Sequence, residues 1–217
     1  MTESFLDEAP NQSTVSGFLH RAEDAAGNGL VLTHSAGGNC NSPLLVGLGE
    51  ALCSKGVTVL RCDLPFRQSR PHGPPMGSAE KDQEGLRRAV QVLRTQMKGQ
   101  IYLGGHSYGG RMATMLAARE PSVADGLLLL SYPLHPPRKP QQLRTAHFPH
   151  LRTPALFVHG TRDPFGSPDE IQGALRLIPA ETKLVTVKGA GHELIRKTNQ
   201  PRVLDLIVAE FTEWLRR

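Results

Sequence analysis

The chain has 217 residues, 39% of them hydrophobic, and its 25 Lys and Arg against 20 Asp and Glu give a net charge of +5. That length suits one domain with a sizeable core, and no apolar run is long enough to cross a bilayer. The modest positive charge comes without a recognition module or an alternation of basic and aromatic residues, which argues against nucleic-acid binding.

The opening stretch, MTESFLDEAPNQSTV, is acidic and polar. It reads as a flexible segment over residues 1–14 ahead of a single domain over 15–217. It lacks the basic start and continuous apolar stretch of a secretory signal, so the cytoplasm is the expected compartment. Residues Val15 to Arg21 read as an edge strand. Cys40, Cys53 and Cys62 form an odd set with no C-x-x-C spacing, as expected of reduced thiols.

From Gly29 onward, short apolar runs alternate with longer amphipathic ones. Strand-like runs fall at 29–35, 57–65, 101–107, 125–133, 154–163 and 182–192, and helix-like runs at 43–56, 78–99, 108–120, 167–179 and 200–217. This alternation predicts an α/β fold with a mainly parallel central sheet and helices on both faces. Ser42 before Pro43 and Ser167 before Pro168 mark helix starts, where a hydroxyl can cap free N–H groups and proline's missing N–H does no harm. Two proline-rich stretches, 65–77 and 132–154, follow strands and read as loops on the rim where such sheets bind ligands. The second is too short and too rich in proline for a helical lid, so no substantial lid and an open site are expected. Its histidines, His135, His147 and His150, have no acidic partner close in sequence and make a poor metal site.

The sequence GHSYG places Ser107 between Gly105 and Gly109, with a strand-like run before it and a helix-like run after it. A sharp strand-to-helix turn requires glycines there and lifts the serine clear of its neighbours, which points to a nucleophile whose oxyanion is met by the N–H of Tyr108. A serine hydroxyl needs a base, and the base needs an acid to fix its tautomer. Asp163 directly follows one buried-type strand, and His192 sits in a glycine-rich turn after the next. Asp169 and Glu170 are weaker candidates for the acid because they begin a helix, where negative charge favours the dipole. The loop THSAGGN offers a second oxyanion donor, assigned to the N–H of Ala36, with glycines that let backbone approach a ligand. Ser35 is a poor rival nucleophile because its loop has no elbow. Arg61 and Arg67 in RCDLPFRQSR are placed to hold a carboxylate or phosphate of a substrate, or else to act structurally.

The motifs THSAGGN, RCDLPFR, GGHSYGGRMA, HGTRDPFG and GAGHEL together resemble the α/β-hydrolase superfamily, in particular the small lidless hydrolases grouped with dienelactone hydrolase. The chain order Ser107, Asp163, His192 is that family's triad order. Dienelactone hydrolase itself uses cysteine where this chain has Ser107, and Ser35 stands where many relatives have glycine. The expected function is a serine hydrolase that cleaves a small carboxylic ester or thioester through an acyl-enzyme and requires neither metal nor organic cofactor. No nucleic-acid or membrane partner is expected, and the oligomeric state is open. The alternative is a binding or scaffold protein that keeps the fold without turnover, since a fold does not dictate a function.

Overall fold

Four consecutive leucines, Leu127 to Leu130, are fully buried, which a strand achieves only when both faces of its sheet are covered. Leu127 and Leu129 join one core cluster, and Leu128 and Leu130 join the other. The computed structural model describes residues 2–23 and 27–216. Its strands are β1 (Thr2–Asp7), β2 (Val15–His20), β3 (Gly29–Thr33), β4 (Thr58–Cys62), β5 (Ile101–His106), β6 (Gly126–Leu130), β7 (Ala155–Gly160) and β8 (Thr182–Val187). Its helices are α1 (Pro43–Cys53), α2 (Pro65–Ser69), α3 (Ala79–Gln96), α4 (Tyr108–Arg119), α5 (Pro168–Leu175) and α6 (Gln200–Trp214). No helix among the described residues is long and apolar enough to cross a membrane.

The eight strands form one sheet in the order β1-β2-β4-β3-β5-β6-β7-β8. From β4 to β8 the pairings are parallel, whereas β1–β2 and β2–β4 are antiparallel. Residues from α3, α4 and α5 fill the core on one face, and residues from α1 and α6 fill it on the other. On the second face Tyr102, Phe211 and Trp214 pack as a ring cluster, with Tyr102 edge-on to both partners. The chain leaves β3 toward β4 on one side and returns to β5 on the other, so the carboxyl ends of β3 and β5 form the crevice where open α/β sheets bind ligands.

Three expectations change. The segment 1–14, expected to be flexible, carries β1 at the sheet edge, so β2 is an inner strand and not the edge. The first five residues of the loop 65–77 form the short helix α2, whose start is held by Phe66 N–H donating to Asp82 Oδ1 at 3.1 Å. Of the two serine caps, Ser167 forms a full capping box with Glu170, whereas Ser42 makes no cap and its buried hydroxyl has no partner. The segment 131–154 contains a single 3₁₀ turn at Phe148–His150 and no lid helix. Arg217, the end of the last expected helix, lies outside the described residues.

Candidate active site

β5 delivers Ser107 into α4 with φ 52° and ψ −111°, a conformation that L-residues rarely hold and that costs about 1–3 kcal/mol. The turn is clamped on both sides: Ser107 N–H donates to Leu130 O at 2.8 Å, and Gly109 N–H donates to His34 O at 3.1 Å. A side chain at Gly105 would meet the backbone of Gly109 and Gly110 at 2.6 Å, and one at Gly109 would meet Thr33 Cγ2 at 2.6 Å and His34 O at 2.7 Å. Both glycines are therefore steric requirements of the elbow.

The three residues expected to act together do meet. His192 Nε2 lies 2.7 Å from Ser107 Oγ, and His192 Nδ1 lies 2.8 and 3.0 Å from the two oxygens of Asp163. A carboxylate only accepts, so it fixes the proton on Nδ1 and leaves the Nε2 lone pair facing the serine hydroxyl. Asp163 Oδ1 also accepts from Phe165 N–H at 2.9 Å, and its buried carboxylate has His159 Nε2 at 3.6 Å on its other side. The alternative acids are engaged elsewhere: Glu170 closes the capping box of α5, and Asp169 lies beside it in the first turn.

Three further imidazoles surround the site, and burial holds the pKa of each below its ordinary value. His106 donates from Nε2 to His192 O at 2.9 Å, and its ring lies 5.4 Å from the His192 ring. His159 donates from Nε2 to Gly166 O at 2.7 Å. His34 donates from Nδ1 to Ser35 O at 2.8 Å and accepts Leu64 N–H on Nε2 at 3.1 Å. Neutral rings at these positions put no competing cation beside the one His192 would become on taking a proton.

An open cleft of about 890 Å³ lies over Ser107, and its wall includes Ala36, Gly37, Tyr108, Phe165 and His192. In the loop after β3 the carbonyls are drawn away from it. Ser35 O accepts from His34 and from Gly38 N–H, while Ala36 O and Gly38 O accept from Arg67. Because C=O and N–H of a trans peptide point opposite ways, the Ala36 N–H is turned from His34 and the Gly37 N–H from Arg67. Ser107 O accepts Arg111 N–H at 3.0 Å along α4, which aims the Tyr108 N–H back over the elbow.

The two arginines expected to meet a substrate, or else to act structurally, spend their donors on the protein. Arg67 is 5% exposed and donates to Gly38 O at 2.8 Å, Ala36 O at 2.7 Å, Gly73 O at 3.0 Å and Arg70 O at 3.1 Å. Arg61 is 3% exposed, donates to His20 Nε2 at 2.7 Å and to Cys40 O, and stacks over Phe18. Both guanidinium groups spend their donors on the protein itself, so neither lines the cleft. The arginines in the cleft wall are Arg111, Arg144 and Arg196, none of which the sequence singled out as a site residue. Phe165, against His192, lies in HGTRDPFG two residues after the acid but was not singled out as a site residue. Among the described residues no three His, Cys, Asp or Glu side chains are grouped as metal ligands.

A parallel sheet, a strained serine elbow at its switch point and a Ser–His–Asp chain define an α/β hydrolase. The chain belongs to the alpha/beta hydrolase domain family, whose profile matches residues 26–215. Similar folds include Est1E from Butyrivibrio proteoclasticus, with TM-score 0.78, 17% identity and 99% of each chain covered. Dienelactone hydrolase from Anabaena variabilis has TM-score 0.77, 19% identity and 98% of each chain covered. A lidless α/β serine hydrolase from Xanthomonas campestris has TM-score 0.73 and 18% identity, over 98% of this chain and 94% of the other.

Proposed function

We propose that this chain is a serine hydrolase that cleaves a carboxylic ester or thioester of a small substrate through an acyl-enzyme. The observation that carries this reading is the unbroken Ser107–His192–Asp163 chain, at 2.7 and 2.8 Å, at the floor of an open cleft. Ser107 Oγ attacks the acyl carbon while its proton passes to His192 Nε2, and Asp163 steadies the imidazolium through Nδ1–H. The N–H groups of Tyr108 and Ala36 receive the oxyanion. The leaving alcohol or thiol takes the proton back from Nε2, and water then repeats the sequence on the acyl-serine and releases the acid.

A neutral fluorophosphonate probe tests the reading directly. Labelling of the intact chain that is lost in Ser107→Ala, together with hydrolysis of simple p-nitrophenyl esters or thioesters by the unmodified chain, is the expected result. A folded chain that is not labelled overturns it in favour of a binding protein that keeps only the fold.

A further inference from the structure

Arg111 sits one helical turn beyond Ser107, in the first turn and a half of α4, and lines the cleft together with Arg144 from the segment after β6. A cation near a helix N-terminus is opposed by the helix dipole, so this placement does not stabilise α4. Neither guanidinium has a carboxylate partner among the described residues. Among the described residues the buried Arg111 Nε has no hydrogen bond, and the Arg144 guanidinium donates to Pro133 O at 3.3 Å. The two charges feel each other: burial first and the Arg111 charge second hold the Arg144 pKa below its ordinary value. His147 beside them is lowered to about 4, by burial and then by Arg111, so it adds no charge and no counter-charge. Tyr132 and Tyr108, which also feel the Arg111 charge, are both pushed well above their ordinary range, first by burial, and stay neutral; the Tyr108 hydroxyl donates to Asp82 Oδ2 at 2.7 Å. Arg196 and Lys197 also line the cleft, and Glu193 is the one acid in its wall among the described residues.

Two half-buried guanidinium groups in one cleft wall, one of them set against a helix dipole and neither paired with an acid among the described residues, leave charge and most of their donors unused by the fold. We propose that Arg111 and Arg144 form an anion subsite of the cleft, which takes a carboxylate or phosphate carried by the substrate, so that the preferred ester is negatively charged. This rests on the reading of Ser107 as the nucleophile, which fixes the end of the substrate that faces the elbow. The planar fork of arginine suits either oxyanion, and both residues line the cleft that holds Ser107.

The test compares kcat/KM for the mono-p-nitrophenyl ester of glutaric acid with that for the neutral p-nitrophenyl pentanoate, in the intact chain and in Arg111→Gln, Arg144→Gln and Arg144→Lys. The expected preference for the anionic ester is about tenfold or more, reduced by a similar factor in each Gln variant, partly kept in the Lys variant and narrowed by salt. Equal rates on both esters, or a preference unchanged in both Gln variants, overturns the subsite. Titration calorimetry of the intact chain with glutarate and with inorganic phosphate gives a readout that needs neither turnover nor the variants. Saturable binding of one of them identifies the oxyanion, and binding of neither overturns the proposal. If neither ester is hydrolysed, the ester-hydrolase reading falls while the calorimetry still decides the subsite.

Discussion

The ring of Phe165 lies against the imidazole of His192, with centroids 4.1 Å apart and planes inclined by 31°. The backbone N–H of the same residue holds Asp163 Oδ1, so one residue fixes both the acid and the face of the base. A stacked ring pair contributes about 0.5–1.5 kcal/mol, which corresponds to about tenfold in rate if the imidazole is free to swing when the ring is removed. Phe165→Ala is therefore expected to lower kcat by about tenfold on a neutral ester, with a smaller change in KM. A wild-type kcat would show that the Asp163 bond alone orients the base.

Asp163→Asn replaces an acceptor pair by a group that offers one acceptor and one donor. If the amide N–H turns to His192 Nδ1, the ring proton moves to Nε2 and points at Ser107, and no base remains. The expected loss is on the order of 10³–10⁴ in kcat, with the fold retained. Steady-state kinetics beside a far-UV spectrum checks it, and a loss under tenfold would mean that another group orients the ring.

Ser107 holds φ 52° because the elbow demands it, a strain that its side chain makes worse. Ser107→Ala and Ser107→Gly both remove the nucleophile, and both are expected to be inactive. Only glycine relaxes at this φ, so the Gly variant is expected to be the more stable by about 1 kcal/mol, or roughly 2–4 °C in Tm. The usual order, alanine above glycine, would show that the elbow is not strained in solution.

The sheet was legible in the sequence because strands buried on both faces are written as unbroken apolar runs, as in Leu127 to Leu130. The triad was legible because each member sits directly after such a run, in a turn whose glycines have a steric reason. β1 was not, since its residues are mostly exposed and give no apolar signal. Nor was the fate of the arginines: whether a guanidinium meets a substrate or a backbone carbonyl depends on which loop folds over it. Arg67 and Arg111 look alike in sequence, yet the first is surrounded by the carbonyls of residues 36, 38, 70 and 73, and the second lies in the cleft wall.

Buried histidines whose pKa is lowered make stability depend on pH, His20 and His147 among them. His20 is lowered from 6.5 to about 4 by burial and then by the Arg61 charge, and His147 to about 4 by burial and then by Arg111. In the unfolded chain both take protons near the ordinary value. Between that value and about 4 the unfolded state binds protons that the fold does not, and stability falls as pH falls. Above the ordinary value neither state is charged and the contribution is complete. Tm measured from about pH 7 down to about pH 4 is expected to decline, and less steeply in His20→Gln, whose amide oxygen still accepts from Arg61. An identical slope in His20→Gln would assign the decline to other groups.

Arg67 and Arg61 lie close in sequence, both are buried, and both bind carbonyls of the segment after β3, yet different consequences are expected of their loss. Arg67 holds Ala36 O and Gly38 O, the carbonyls on either side of the Gly37 peptide, and so sets which way the N–H groups beside Ser107 point. Arg61 holds Cys40 O and His20, beyond the part of the loop that faces the elbow. Arg67→Met keeps most of the apolar stem over Phe66 but removes all four hydrogen bonds, and a loop free to turn its carbonyls inward no longer offers a fixed donor to an oxyanion. Loss of one such donor typically costs about 10²–10³ in kcat, so a drop of at least tenfold with little change in KM is expected, beside a lower Tm. Arg67→Lys should recover little, because one ammonium cannot reach carbonyls spread around a planar fork. Arg61→Gln should lower Tm without the fall in kcat, since it leaves the Ala36 and Gly38 carbonyls in place. Equal effects of the Arg67 and Arg61 variants on kcat would reduce both residues to supports of the fold and remove Arg67 from the shaping of the oxyanion loop.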